Sequence, residues 1–213
     1  MIFEKHSELE GTHAFLSPSQ PYWLRYSQDK LVERYLNAQA AEKGTRLHAW
    51  ARETIELSRM QPRNKDTVNM FVNDAIGYKM TPEQPLFFDF LCYGTADAIS
   101  YKKNYLRIHD LKTGVTEASF DQLRVYAALF CLNYQRRVRE LRNEGKSDAY
   151  IAAKFDISPK ELHFDPMQMS GIELRIYQMG EVKIEMADPQ QIADYMDIAQ
   201  NWVQVLKKVD AEG

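Results

Sequence analysis

Gly94-Thr95-Ala96-Asp97, Asp110-Leu111-Lys112-Thr113-Gly114 and Gln122-Leu123-Arg124-Val125-Tyr126 decide how this chain is read. Leu106, Ile108 and Leu111 around Asp110 read as a strand, in which alternate side chains share a face. Asp110 and Lys112 then project together while Leu111 points into the core, and Thr113-Gly114 breaks the strand just beyond them. The C-terminal end of a strand is a common place for function in open α/β sheets. A second carboxylate, Asp97, sits on the preceding strand. Two carboxylates hold a hard divalent cation through oxygen. An ammonium beside them can orient water or neutralise charge developing on a phosphate. The set suits metal-assisted phosphodiester hydrolysis. A lone Asp-x-Lys on a hairpin is more often a weak exposed ion pair. Here Leu106, Ile108 and Leu111, with Phe87, Phe88, Phe90 and Leu91 before them, predict that both strands are substantially buried.

Four marks occur in order: Gly44-Thr45-Arg46-Leu47-His48, Gly94-x-x-Asp97, Asp110-Leu111-Lys112-Thr113-Gly114 and Gln122-x-x-x-Tyr126. The set resembles the PD-(D/E)XK nuclease superfamily, specifically its RecB-type exonuclease branch. Leu16-Ser17-Pro18-Ser19, followed by Trp23-Leu24, is similar to the opening of such domains, and the resemblance covers roughly residues 15–208. It implies an α/β fold: a small mixed central sheet flanked by helices, the restriction-endonuclease-like core. It also implies roles. Asp97 and Asp110 would ligate Mg²⁺ or Mn²⁺, with the Leu111 backbone carbonyl and His48 as further ligands. Lys112 would serve the attacking water. Gln122 and Tyr126, four apart on one helix face, would hold the DNA backbone or the lysine beside the metal. Read without the resemblance, Tyr126 is a core residue among Val125, Leu129 and Phe130. On the same terms His48 is a partly buried helix histidine between Leu47 and Trp50.

At 213 residues and 45% hydrophobic, the chain can bury one good core, so a single domain over 1–213 is the expectation. No run of 18 apolar residues predicts a membrane span. The stretch Met1-Ile2-Phe3-Glu4-Lys5-His6 lacks a signal peptide's apolar segment, which predicts a cytoplasmic protein, in the host cytoplasm if phage-encoded. Cys92 and Cys131 are the two cysteines. They cannot build the four-cysteine iron–sulfur cluster of some relatives, and a disulfide is not expected in a reducing compartment. No Gly-x-x-x-x-Gly-Lys-Ser/Thr loop occurs, so no nucleotide cofactor or motor is expected. The net charge of −3 means that phosphate binding must rest on local positive charge and on the metal. Arg136, Arg137 and Arg139 form the densest basic stretch. It is either a DNA-facing strip or a solvated helix end favoured by the dipole.

Ser17-Pro18-Ser19 reads as the cap of a helix beginning about Pro21. Residues 31–56 read as one long helix or two, and 66–78 as another. Residues 87–111 read as two or three strands turning near Lys103-Asn104, and 120–143 as a helix ending near Gly145. Strands follow over 172–178 and 182–186, then a helix capped by Asp188 with Pro189 at its first position. Residues 147–162 resemble a helix-turn-helix, but Asp156 stands where glycine is usual. A helical insertion at about 143–168, packed on the core, is the preferred reading. His163 and Asp165 read as loop. The function expected is a divalent-metal-dependent DNA exonuclease of recombination or DNA processing. It would act alone, as a homo-oligomer, or beside a helicase or single-strand annealing protein. The alternatives are a structure-selective or site-specific endonuclease and a non-catalytic DNA-binding protein that keeps the fold.

Overall fold

The computed structural model describes residues 5–212. They form two compact units, one up to Arg46 and one from Leu47 onward. The first holds two single 3₁₀ turns, Ser7–Leu9 and Pro21–Arg25, and the start of helix α1, Gln28–Glu56, which ends in the second unit. The expected cap at Ser17 is corrected: the segment at Pro21 is a 3₁₀ turn with no side-chain cap. The Ser17 hydroxyl lies 2.8 Å from that of Ser19 instead, and its carbonyl accepts from the Trp23 indole at 3.1 Å. A Pro-Tyr-Trp start offers one good first-turn residue followed by aromatics, which are indifferent helix formers.

The second unit is α/β. Helix α2 (Thr67–Gly77) precedes a meander of β1 (Thr81–Asp89), β2 (Cys92–Lys102) and β3 (Tyr105–Lys112). Then come α3 (Asp121–Asn143), α4 (Asp148–Phe155), β4 (Gly171–Gln178), β5 (Glu181–Met186) and α5 (Pro189–Glu212). The strands form one mixed sheet in the order β1-β2-β3-β4-β5, parallel between β3 and β4 and antiparallel elsewhere. Turn chemistry sets two of the three tight hairpins, β2–β3 and β4–β5. Lys103 and Asn104 both have positive φ, as do Met179 and Gly180, the combination two-residue hairpins favour. A side chain at Gly180 would also meet the Lys65 carbonyl at 2.9 Å.

Strand alternation sorts the core into two layers. Leu106 and Ile108 of β3, with Leu174 and Ile176 of β4, pack with Leu123, Ala127 and Phe130 of α3. Leu111 and Tyr177 take the other face, against Phe71, Val72 and Ala75 of α2 and Ala51 and Ile55 at the end of α1. The cap expected at Asp188 is present, its carboxylate accepting from the Gln190 amide; Asp66 likewise accepts from the amides of Val68 and Asn69, and Ser147 from Tyr150. Two expectations need correction. Phe90 and Leu91 are exposed, because they form the tip of the β1–β2 hairpin that sequence placed inside a strand. The second element of the supposed helix-turn-helix is only the 3₁₀ turn Pro159–Glu161, while α4 buries Ile151 and Ala152 in the main core. Asp156 takes the left-handed conformation that glycine would have taken. No described helix is long and apolar enough to cross a membrane.

The α2 face carries a buried polar network. The Tyr177 hydroxyl donates to Asp74 at 2.6 Å, so its oxygen is left to accept from His109 Nδ1 at 3.2 Å. His109 Nε2 is then a buried acceptor with no hydrogen-bond partner, 4.0 Å from the Glu173 carboxylate. Burial, aided by the Arg175 and Arg107 guanidiniums, pushes the His109 pKa down to about 3. The unfolded chain takes a proton on this histidine below about pH 6.5 and the native protein does not. Stability from this group is therefore complete above about pH 6.5 and is lost as pH falls toward about 3. Urea titrations at successive pH values should show a His109→Asn variant losing less stability than the parent between pH 6.5 and 4.5; parallel curves would contradict a neutral buried His109.

Candidate metal centre

The β2–β3 ladder stops at the pair Ala98 and His109, and continuing its register by one step sets Asp97 beside Asp110. On the other side of β2, the pairs Pro82–Ala98 and Gln84–Ala96 bracket Glu83 and Asp97, which therefore face each other. Glu83, Asp97 and Asp110 form one row across three adjacent strands. The strands are irregular along this row. Ala96 and Ile99 pack toward α3 but Ala98 packs toward α2, so strict alternation breaks at Asp97. Glu83 has a φ of 47°, a conformation rare for a side chain of its size within a strand. Where the ladder fails, Asp97 Oδ2 takes the place of a backbone acceptor, receiving the Leu111 amide at 2.8 Å. That bond ties the Asp97 carboxylate to the stretch of β3 that carries Asp110 and Lys112.

His48 reaches the row from α1. Its Nδ1 lies 3.4 Å from Asp97 and 3.8 Å from Glu83. Hydrogen bonding to Asp97 outweighs burial and holds the imidazole above its usual pKa, while burial and Asp97 together raise Glu83. Among the described residues, His48, Glu83 and Asp97 each offer a ligand atom, all within 4.8 Å of one another. Asp110 is 2% exposed, and desolvation, followed by the charge of Asp97, pushes its pKa up to about 6. Its Oδ2 has no hydrogen-bond donor, although the Lys112 ammonium is 3.0 Å away. Three carboxylates partly withdrawn from water meet one imidazole, one ammonium and, at Glu83, the charge of Arg52, which itself pairs with Glu56. A hard dication fits this donor set of oxygens and an imidazole.

The second half of the site is a hydrogen-bond chain. Lys112 Nζ donates to Asp110 Oδ1 at 3.2 Å and to Gln122 Oε1 at 2.7 Å, and Gln122 Nε2 donates to the Tyr126 hydroxyl at 2.9 Å. An ammonium only donates, so it fixes which end of the Gln122 amide faces it. The Tyr126 ring lies over Gly94, where a Cβ would come within 2.8 Å of the ring. Gly94 is thus required by close approach. The structure brings together His48, Asp97, Asp110, Leu111, Lys112, Gln122 and Tyr126. Glu83 was missed by sequence reasoning, since no local spacing links it to Asp97; only the strand register does.

The basic stretch on α3 is paired in part from within, two of its arginines sharing one carboxylate. Arg136 and Arg137 both donate to Glu140, at 3.1 and 2.9 Å, and Arg136 also lies over the Phe87 ring. Arg139 is exposed. From Gln122 to Arg139 is about 25 Å along the helix at its usual rise per residue. His163 and Asp165 form a loop cap, with the Asp165 amide donating to His163 Nδ1 at 3.1 Å. Comparison with family models, with curated proteins and with solved structures found no match to this chain.

The raised pKa of Asp110 carries a sign. In metal-free protein the native state holds this proton more tightly than the unfolded chain. Its contribution is therefore full below about pH 3.8 and lost as pH rises through about 6. In EDTA at pH 8, Asp110→Asn should stabilise the protein by about 1–3 kcal/mol. Mn²⁺ should raise the melting temperature of the parent, less that of Glu83→Gln, and not at all that of Asp97→Asn. A parent melting curve unmoved by Mn²⁺ would remove the metal centre.

Proposed function

We propose that this protein is a divalent-metal-dependent DNA nuclease that hydrolyses phosphodiester bonds, acting as an exonuclease in recombination or DNA processing. One observation carries the reading: a row of three carboxylates, Glu83, Asp97 and Asp110, flanked by His48 on one side and by the Lys112–Gln122–Tyr126 chain on the other. His48, Glu83, Asp97 and Asp110 would hold Mg²⁺ or Mn²⁺. When bound, such an ion supplies Lewis-acid stabilisation of phosphoryl charge and acidifies water.

The chain's own residues do the rest. Asp110 and Gln122 accept two of the three Lys112 N–H bonds, leaving one ammonium proton for water or for a phosphate oxygen. Being held at two points, Lys112 is positioned before substrate arrives, so charge stabilisation costs little reorganisation. Tyr126 orients Gln122, and Gln122 orients Lys112. The exonuclease reading rests on the ordered set of residues His48, Asp97, Asp110, Lys112, Gln122 and Tyr126.

The test uses 5′- and 3′-labelled linear DNA beside closed circular DNA, with Mg²⁺, Mn²⁺ or EDTA. Cleavage of the linear form alone, with mononucleotide release, is expected; nicking of the circle would make the protein an endonuclease. Asp110→Ala and Asp97→Ala should abolish cleavage with circular dichroism unchanged, and normal turnover by either would sink the proposal. Lys112→Ala should lose on the order of 10²–10³ in single-turnover rate while keeping its thermal response to Mn²⁺. Tyr126→Phe should slow the reaction without lowering the melting temperature, because the ring stays and only the hydroxyl goes.

A further inference from the structure

The unit ending at Arg46 contains a cavity of about 350 Å³ whose chemistry differs from that of the metal centre. Phe15, Tyr22, Trp23 and Tyr26 contribute rings to it, and His13 and Arg34 contribute basic groups. The remaining polar lining comes from Ser17, Ser19 and Gln20, and no lining residue is acidic. The cavity is shaped in advance. The Trp23 indole is pinned to the Ser17 carbonyl at 3.1 Å, and the two serine hydroxyls hold each other at 2.8 Å. Phe15 meets Tyr35 edge to face at 5.2 Å. Lys30 and Arg34, one turn apart on α1, both lie over the Tyr26 ring, at 5.2 and 5.9 Å. Tyr22 is 67% exposed at the rim. An adjoining hollow of about 620 Å³ shares Phe15 and Arg34 and adds Lys30, with Glu33 as its one acid.

We infer that this aromatic and basic cavity binds a single-stranded polynucleotide, stacking a base on its rings while the basic groups meet the phosphates. Three features select that ligand. Every base offers a π-face, and stacking on aromatic side chains with basic grooves along the backbone is how single strands are held without sequence preference. The lining offers positive charge with no acid to oppose a phosphate. The volume is sufficient: an apolar cavity of roughly 150 Å³ already takes benzene, and this one is larger and open. A duplex keeps its bases stacked inside and cannot present them to such a cavity. The inference rests on the nuclease reading only in supposing that the polynucleotide is DNA.

The test is equilibrium binding by the full chain in EDTA, which withholds the divalent ion, using labelled oligothymidylate of about 12 nucleotides, the matching oligo(ribothymidylate) and a duplex. Oligothymidylate should bind in preference to duplex and quench tryptophan emission. Tyr22→Ala and Arg34→Ala, both at exposed positions, should each weaken binding about tenfold. Trp23→Phe should lose the quench. Unchanged binding in both variants, duplex binding as tight as single strand, or a quench that survives Trp23→Phe would overturn the inference. Tighter binding of oligothymidylate than of oligo(ribothymidylate), which differs from it only in the 2′-hydroxyl, identifies DNA as the ligand, and equal binding shows that the base and phosphate are read without the sugar. Neither Tyr22→Ala nor Arg34→Ala should alter Mn²⁺-dependent hydrolysis of a small phosphodiester such as bis(p-nitrophenyl) phosphate. A parent lacking that hydrolysis would defeat the proposed function while the binding result stood.

Discussion

Asp110 is a carboxylate almost wholly removed from water, with one ammonium beside it and two further carboxylates along the same row. Desolvating a charge is costly unless it is paired and hydrogen-bonded, and this one is only half satisfied. The surrounding architecture is arranged around that cost. β3 is the middle strand of five, so Asp110 has sheet on both sides and α3 above it. Lys112 is held from two directions rather than left to solvent. The break in the ladder at Asp97 opens the sheet at one row and replaces a backbone acceptor with a carboxylate. An apolar side chain in place of Asp110 would make a better core and a poorer place for a cation.

The two halves of the site use different physics. His48, Glu83 and Asp97 concentrate negative charge and lone pairs within a few ångströms, with two of the three groups shifted so as to retain protons. Lys112, Gln122 and Tyr126 form a directional chain in which Lys112 donates to Gln122 and Gln122 donates to Tyr126, so the geometry is set by hydrogen-bond polarity. Gly94 lets the second half approach the first, because only a residue without a Cβ leaves room for the Tyr126 ring beside β2.

How much of this could be read in sequence depends on whether the determining interactions are local. Asp110 and Lys112 share a face because they lie two positions apart on a strand. Gln122 and Tyr126 meet because they lie four positions apart on a helix. The bounds of α2, α3, β4 and β5 followed from caps, periodicity and turn residues next to each element in the chain. Glu83 was not legible, since its place beside Asp97 depends on the register of β1 against β2 and on an unusual φ. Phe90 and Leu91 misled for a related reason: their apolarity suggests burial, but the hairpin turn that lifts them out has none of the usual glycine or asparagine. The basic stretch of α3 reads either as a DNA-facing strip or as a solvated helix end, and neither reading takes account of the pairing of Arg136 and Arg137 with the single carboxylate of Glu140, one turn along the same helix.

The single parallel pairing in the sheet also sets the order in which the molecule can be assembled. β1, β2 and β3 join through two hairpins, and β4 and β5 through a third, so both pieces close over short loops. β3 and β4 meet only after the chain has passed through α3, α4 and the turns beyond them. Closing that long loop makes the parallel seam a high-contact-order step, slower than the hairpins on either side. Every side chain of the metal centre, from His48 to Tyr126, precedes β4 in the chain. During synthesis the acidic row can line up across the meander while one edge of β3 is still open. The buried charge of Asp110 is then enclosed last, when the second hairpin docks.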